Sequence, residues 1–365
     1  MQASDLDAID HHPISAALLG WYDVHVRALP WRKRPGEPTQ DPYRVWLSEV
    51  MLQQTTVAAV GKYYTRFLEL WPTVGDLAAA DESAVMAEWA GLGYYARARN
   101  LIAAARAVAA SGGAFPDTED GLRALPGLGA YTAAAVAAIA FDRRAVVVDA
   151  NVERVVSRLF LIDTPLPGAR PAIRTAADTI TPDARAGDFA QAMMDLGATI
   201  CTPRRPRCLL CPLAGQCKAR AGGDPVSLPI KPAKKAKPQR TGTAYWIERD
   251  GPEGIRVWLV TRAAKGMLGA MRALPDDGWA ARRDGDKVPP ITARWEALGR
   301  VSHGFTHFDL ELQLMRAESP DTSALKDGEW WPVAGIESAG LPTVFAKAVR
   351  LALADTTQAS GDAEQ

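Results

Sequence analysis

The sequence predicts two domains of different class, an all-helical one over residues 1–220 and an α+β one over 242–355, joined by a basic linker at 221–241. Three observations predict this. Up to residue 200, apolar positions recur at helical spacing between Gly and Pro breaks. All four cysteines crowd into Cys201–Cys217. Beyond a Pro- and Lys-rich stretch, the pattern turns to strand-like alternation.

The elements follow in order. Asp41-Pro42 opens a helix, with Asp as cap and Pro tolerated at the first position. Val45, Trp46, Val50, Leu52, Val57 and Val60 carry its apolar stripe towards Trp71-Pro72. Further helices are predicted over 76–90, 97–110, 118–125, 130–141, 151–161 and 189–200, separated by breaks such as Gly91, Gly112-Gly113 and Pro126-Gly127. In the linker, Lys231, Lys234, Lys235 and Lys237 alternate with prolines, leaving too little apolar surface for a core. Strands are expected over 243–248 and 256–261 around a turn-rich connection, and over 305–315, where Phe308, Leu310, Leu312 and Leu314 share a face. A helix over 343–354 closes the domain, and the polar residues 356–365 are expected to be disordered.

With 48% hydrophobic and 23% charged residues, the composition is that of a soluble globular protein. A net charge of +0 neither supports nor excludes a nucleic-acid partner, so any such footprint must come from local clusters. The acidic start, Met1–Asp10, lacks the pattern of a signal peptide, and the apolar stretches are too short to span a bilayer. A cytoplasmic protein without membrane attachment is expected.

Four motifs carry chemistry. Leu125-Pro126-Gly127-Leu128-Gly129-Ala130-Tyr131-Thr132 lies between two helices. Its glycines permit a tight turn, and the uncapped start of the next helix offers N–H groups to a phosphate. An ordinary packing turn is the alternative. Asp149 stands at a helix start, which favours its ionised form, although capping alone would also explain it. Glu49 is a lone carboxylate in a mostly apolar helical segment; facing inward its neutral form is favoured, facing outward it is merely solvated. Breaking an N-glycosidic bond needs one acid to protonate the departing base and an anion to face the cationic sugar. Finally, Cys201-x6-Cys208-x2-Cys211-x5-Cys217 suits one metal site in a reducing compartment, and the spacing admits either tetrahedral zinc or a [4Fe–4S] cluster.

The hairpin followed by Asp149, together with the four cysteines, resembles the helix-hairpin-helix DNA glycosylase superfamily. Within it, Trp46–Thr55 and Leu29-Pro30-Trp31-Arg32 are similar to the MutY adenine glycosylases. The match runs from about Trp21 to Cys217 and resumes weakly beyond the linker. This resemblance implies a helical barrel over 41–141, a cluster-bearing half from 1–40 with 142–220, and a [4Fe–4S] cluster on Cys201, Cys208, Cys211 and Cys217. It implies that Glu49 protonates adenine N7 and that Asp149 stabilises the oxocarbenium-like sugar, with a transient covalent bond in this family. Tyr131 and Asn151 match assisting residues. Arg27, Leu29, Trp31, Arg32 and Gln191 align with the adenine pocket, and Gln54, Thr55, Leu92 and Tyr94 with a wedge that contacts 8-oxoguanine. Bifunctional relatives resembling endonuclease III carry a lysine where Tyr131 stands, so base removal without efficient strand cleavage is expected. Gly127 and Gly129 would grip the DNA backbone, with Arg204, Arg205 and Arg207 adding charge from the cysteine loop.

Phe305-Thr306-His307 resembles the Phe-Ser-His motif of the family's MutT/Nudix-like domain, with Thr306 for serine. No glutamate-rich Nudix box lies between Gly266 and Arg300, so this domain is expected to bind rather than hydrolyse. Ala150 departs from the glycine usual after the aspartate. The expected partner is double-stranded DNA with adenine opposite 8-oxoguanine or guanine, bound by a monomer. Rival readings are an endonuclease III-like glycosylase for another base, or a non-catalytic iron–sulfur protein that binds damaged DNA.

Overall fold

The computed structural model describes residues 13–232, 236–263, 266–318 and 320–362. The acidic segment Met1–Asp10 lies outside them, as do Lys234 and Lys235. Before the linker the described chain is helical: α1 (Pro13–His25), α2 (Pro42–Leu52), α3 (Val57–Leu70), α4 (Val74–Ala79), α5 (Glu82–Glu88), α6 (Ala96–Ala110), α7 (Glu119–Arg123), α8 (Ala130–Phe141), α9 (Ala150–Phe160), α10 (Arg170–Asp178), α11 (Ala186–Thr199) and α12 (Lys218–Ala221). None of the described helices is long and apolar enough to cross a membrane.

Two expected helices are each broken in two. The stripe from Asp41 to Trp71 is interrupted at Gln53–Thr56, where Gln54 turns left-handed (φ 60°). Thr56 then caps α3 by accepting the Ala59 N–H. The 76–90 segment breaks at Ala80, because Asp81 accepts from Ser83 and Ala84 and restarts the chain as α5. In both places a capping side chain satisfies N–H groups that a continuous helix would have bonded, so the break costs little.

The chain forms two compact units, Met1–Ala80 with Arg99–Lys234, and Asp81–Ala98 with Lys235–Gln365. The second therefore includes a short segment that the sequence pattern assigns to the helical domain. In the first unit, α1, α9, α10 and α11 share a core built on Leu18, Tyr22, Val156, Ile173, Phe189 and Leu196, and Cys201, Cys211 and Cys217 pack against it. The first half of the linker belongs to this unit as well. Leu228 is buried, its carbonyl accepts from Arg158 Nε at 3.0 Å, and the Ile230 carbonyl accepts from the Leu166 N–H at 2.9 Å.

In the second unit, β1 (Gln239–Trp246), β6 (Asp309–Glu318) and β5 (Arg294–Gly304) form one sheet, with β1 parallel and β5 antiparallel to β6. A second sheet joins β2 (Glu248–Arg249), β3 (Arg256–Thr261), β4 (Arg272–Ala273) and β7 (Gly328–Pro332). The core between them holds Trp246, Leu259, Leu310, Leu312, Leu314 and Phe345. The strand expected from Phe305 begins at Asp309. Residues 305–308 are instead a tight turn in which the Phe305 N–H reaches the Phe308 carbonyl at 2.9 Å. The closing helix α13 (Thr343–Asp362) continues past Ala354, so the expected disordered tail is helical as far as Asp362. Once Val344, Phe345, Ala348 and Val349 anchor the first turns in the core, each added residue gains a hydrogen bond without a new nucleation cost.

Candidate active site

Glu49 projects from α2 into the first unit and is buried, with 6% of its surface exposed. Tyr131, in the first turn of α8, donates its hydroxyl to Glu49 Oε2 at 2.6 Å. Asp149 caps α9: one carboxylate oxygen accepts the Val152 N–H at 2.7 Å, the other accepts Asn151 Nδ2 at 2.8 Å. Ala150 opens the helix without positive φ, so its methyl meets no backbone strain. Glu49, Tyr131, Asp149 and Asn151 open on one cavity of about 840 Å³, which Arg27, Leu29, Trp31, Arg32, Gln54 and Thr55 also line. That volume suits a nucleotide-sized ligand.

Burial raises the Glu49 carboxyl above its ordinary range, and nearby Asp149 adds to this against the opposing pull of Tyr131 and Arg32. Burial also raises Asp149, although the Val152 and Asn151 hydrogen bonds and Arg154 oppose it. The N–H donors expected at the helix start are present, and they oppose this rise in favour of the ionised form. Tyr131 is held far above its usual pKa by burial and by both acids, so its phenol stays a donor.

Asp195 was not anticipated. It is fully buried on α11 and binds Arg32 Nη1 at 2.7 Å and Arg27 Nη1 at 3.4 Å. Its signal was a lone acid one helical turn beyond Gln191, inside Met193–Leu196. Gln191 itself does not reach the acid cavity. It returns its amide to the Gly187 carbonyl at 3.2 Å and lines a separate cavity of about 180 Å³ with Lys33 and Asp188. Arg154 is the other unanticipated residue. It donates to Asn151 Oδ1 at 2.9 Å, the Gly197 carbonyl at 2.6 Å and the Cys201 carbonyl at 2.7 Å. Gly197 allows this approach of α11 to α9, since a Cβ there would fall 2.6 Å from Asn151 Cβ.

The hairpin between α7 and α8 has the expected form. Gly127 has φ 74°, and a Cβ on it would fall 2.4 Å from Asn100 Cβ. Gly129 caps α8 without a side chain, leaving the first N–H groups of that helix open to an anion.

Cys201, Cys208, Cys211 and Cys217 line one small cavity with Arg158 and Arg220. Arg158, almost wholly buried, donates to Cys201 Sγ at 3.3 Å, to the Thr202 carbonyl at 2.8 Å and to the Pro203 carbonyl at 3.0 Å. Among the described residues, no three His, Cys, Asp or Glu side chains converge closely enough for a single metal ion. Four cysteines around one cavity, none of them in a disulfide, are a donor set that fits an iron–sulfur cluster. Burial pushes the Cys211 thiol up to about 11.

Comparison with known proteins agrees with this geometry. The HhH-GPD superfamily of base excision DNA repair proteins matches residues 47–176, the iron–sulfur binding domain of endonuclease III matches 201–217, and a NUDIX domain matches 244–351. The human adenine DNA glycosylase is 34% identical across 92% of this chain and 73% of its own length. The chain belongs to the adenine DNA glycosylase family. Another adenine DNA glycosylase, from Mycolicibacterium smegmatis, is 42% identical over 57% of this chain and 70% of its own. Among solved structures, a thermostable thymine-DNA glycosylase covers 57% of this chain and 96% of its own, at 31% identity and a TM-score of 0.52. The helical fold is thus shared by enzymes for different bases, whereas the near full-length match is to adenine glycosylases. As a member of this family the protein is a DNA N-glycosylase that acts on DNA, and its cysteine loop is that of a [4Fe–4S] cluster.

The remaining positions matched to this glycosylase family are unequal. Gln54 is exposed at the α2–α3 break, and Thr55 lies beside it. In the second unit Tyr94 is 48% exposed at φ 50°. Leu92 is buried, contrary to its expected place in a wedge, because its carbonyl is drawn in by Arg97 Nη2 at 3.2 Å and its N–H bonds Trp89. Phe305 stacks on Phe308 at 4.6 Å and meets His303 edge-on at 4.5 Å, leaving Thr306 and His307 exposed at the turn. The Thr306 hydroxyl stands 3.5 Å from that of Tyr94. Arg204 and Arg205 are exposed on the cysteine loop, while Arg207 turns back to the Thr199 carbonyl.

Proposed function

We propose that this protein removes adenine mispaired with 8-oxoguanine or guanine in duplex DNA, by acid-assisted hydrolysis of the N-glycosidic bond. One observation carries the reading: a buried carboxyl, Glu49 on a phenol, and a half-buried one, Asp149 on a helix start, line a single nucleotide-sized cavity. Glu49, whose neutral form is favoured by burial, delivers a proton to N7 of the extruded base. The C1′–N9 bond then breaks with its electron pair on adenine, and the Asp149 carboxylate faces the oxocarbenium-like sugar. The donors on Asp149 hold that negative charge in place. Water adds to C1′ and returns a proton to Glu49. Trp31 and Leu29 supply apolar contact for the base, and Arg32, anchored by Asp195, supplies a fixed cation.

Tyr131 has no amine to form a Schiff base, which supports hydrolysis without efficient strand cleavage. The nearness of Tyr94 and Thr306, 212 residues apart in the chain, supports reading of the base opposite adenine by these two hydroxyls, with His307 exposed beside them. The uncapped α8 start and the exposed Arg204 and Arg205 suit contacts to phosphates. Single-turnover excision on duplexes with adenine opposite 8-oxoguanine, guanine, cytosine and thymine tests this reading. Fastest release opposite 8-oxoguanine, with no borohydride-trapped adduct, is expected. Equal rates on all four duplexes, or stoichiometric trapping, would refute it.

A further inference from the structure

Within the second unit, the half-exposed Tyr94 is held by a buried cation that the excision chemistry does not use. Tyr94 is left-handed at φ 50°, in a loop that also turns left-handed at Gly91 (φ 98°) and Gly93 (φ 70°). Glycine adopts such angles freely, whereas a tyrosine keeps one only where its surroundings over-determine it. Arg97, the second residue of α6 and 8% exposed, supplies that constraint. Its guanidinium lies over the Tyr94 ring, 5.6 Å from the centroid, and over the ring of the fully buried Trp89 at 5.2 Å. Its Nη2 donates to the Leu92 and Gly93 carbonyls, each at 3.2 Å. The Gly93 carbonyl also accepts the Trp89 indole N–H at 3.0 Å. The Arg97 N–H closes the loop on the Tyr94 carbonyl at 2.8 Å.

Arginine suits this place because its planar fork bonds carbonyls at the edge while its faces take aromatic rings. Burial lowers the guanidinium to about 10, so it is still a cation at neutral pH. One side chain thus ties the loop backbone on both sides of Gly93 to the ring that the loop displays. A ring anchored in this way meets a duplex already oriented, without the cost of ordering a free side chain on contact. We propose that Arg97 is a positioning residue that fixes Tyr94 for the base opposite adenine, by joining its ring to the Leu92 and Gly93 carbonyls and to Trp89. This rests on the reading of Tyr94 given above.

Single-turnover excision by the full-length, cluster-loaded protein tests the proposal, read as the ratio of rates with adenine opposite 8-oxoguanine and opposite guanine. Tyr94→Ala should lower that ratio about tenfold, and Arg97→Gln nearly as far. The double variant should fall no lower than Tyr94→Ala alone, because the arginine acts through the ring. Arg97→Lys keeps the charge but not the fork, should lose a few-fold, and remains informative if Arg97→Gln fails to fold. A parental ratio in either folded Arg97 variant, including equal slowing on both duplexes, overturns the proposal, as do losses that add in the double variant. A parental ratio in Tyr94→Ala overturns the reading of Tyr94 itself, and the proposal with it.

Discussion

Replacing Glu49 with Gln isolates the proton from everything else the side chain does. The amide carbonyl can still accept the Tyr131 hydroxyl, now at 2.6 Å, so the packing of α2 against α8 is preserved. What disappears is the acid, and positioned general acids contribute roughly 10²–10⁴ in rate, or about 2.7–5.4 kcal/mol of barrier. Single-turnover adenine release should fall by at least about two orders of magnitude, with duplex affinity within a few-fold of the parent. A thermal measurement checks the same point independently. The folded-state pKa of Glu49 is raised by burial, so its favourable contribution is present at low pH and is lost as pH rises through the folded value. The Gln variant should therefore melt no lower than the parent at pH 7.5, with its relative standing declining on acidification. Excision within tenfold of the parent, or loss of activity matched by loss of binding, would refute the assignment.

The other predictions are more local. Both acids are raised by burial, so excision should follow a bell-shaped pH profile, failing at high pH as Glu49 loses its proton and at low pH as Asp149 gains one. Tyr131→Phe removes a hydrogen bond that lowers the Glu49 pKa, so the alkaline limb should move to higher pH; an unmoved limb counts against the pair. Asp195→Asn leaves Arg32 buried beside a neutral partner and should cost about 3–5 kcal/mol in chemical denaturation. Arg154→Gln cuts the contact from the Cys201 carbonyl to Asn151 and should slow excision by roughly tenfold, read against iron content to separate it from cluster loss.

Much of this was legible in the chain. The α8 and β3 bounds coincide with those expected, because an alanine-rich apolar run and a short β-branched run are each bounded by unambiguous turn residues. Glu49 and Tyr131, 82 residues apart, meet as the family pattern implies. The helix breaks at Gln53–Thr56 and Ala80 were hidden because apolar spacing continues across them, and only a capping side chain marks the interruption. β5 was missed since most of its residues are exposed or half-buried, with a register shift between Ala297 and Gly299, so no clean alternation survives. Asp195 was missed for a different reason. Its meaning lies in Arg32, 163 residues away, and local pattern does not report a buried ion pair. Leu92 and Gln191, assigned by resemblance to a wedge and to the adenine pocket, are buried here, with the Gln191 amide on the Gly187 carbonyl.

The position of Arg154 joins these strands of argument. Asp149 depends on Asn151 for one of its donors, Asn151 is fixed by Arg154, and Arg154 reaches the carbonyl of the first cluster cysteine. A chain of three hydrogen bonds thus runs from the cysteine loop to the carboxylate, every step between 2.7 and 2.9 Å. Buried polar chains of this kind are stable only when every member is satisfied, so loosening the loop would be felt as a misplaced donor at Asp149. The cysteine loop thus holds the far end of the network that positions the Asp149 carboxyl.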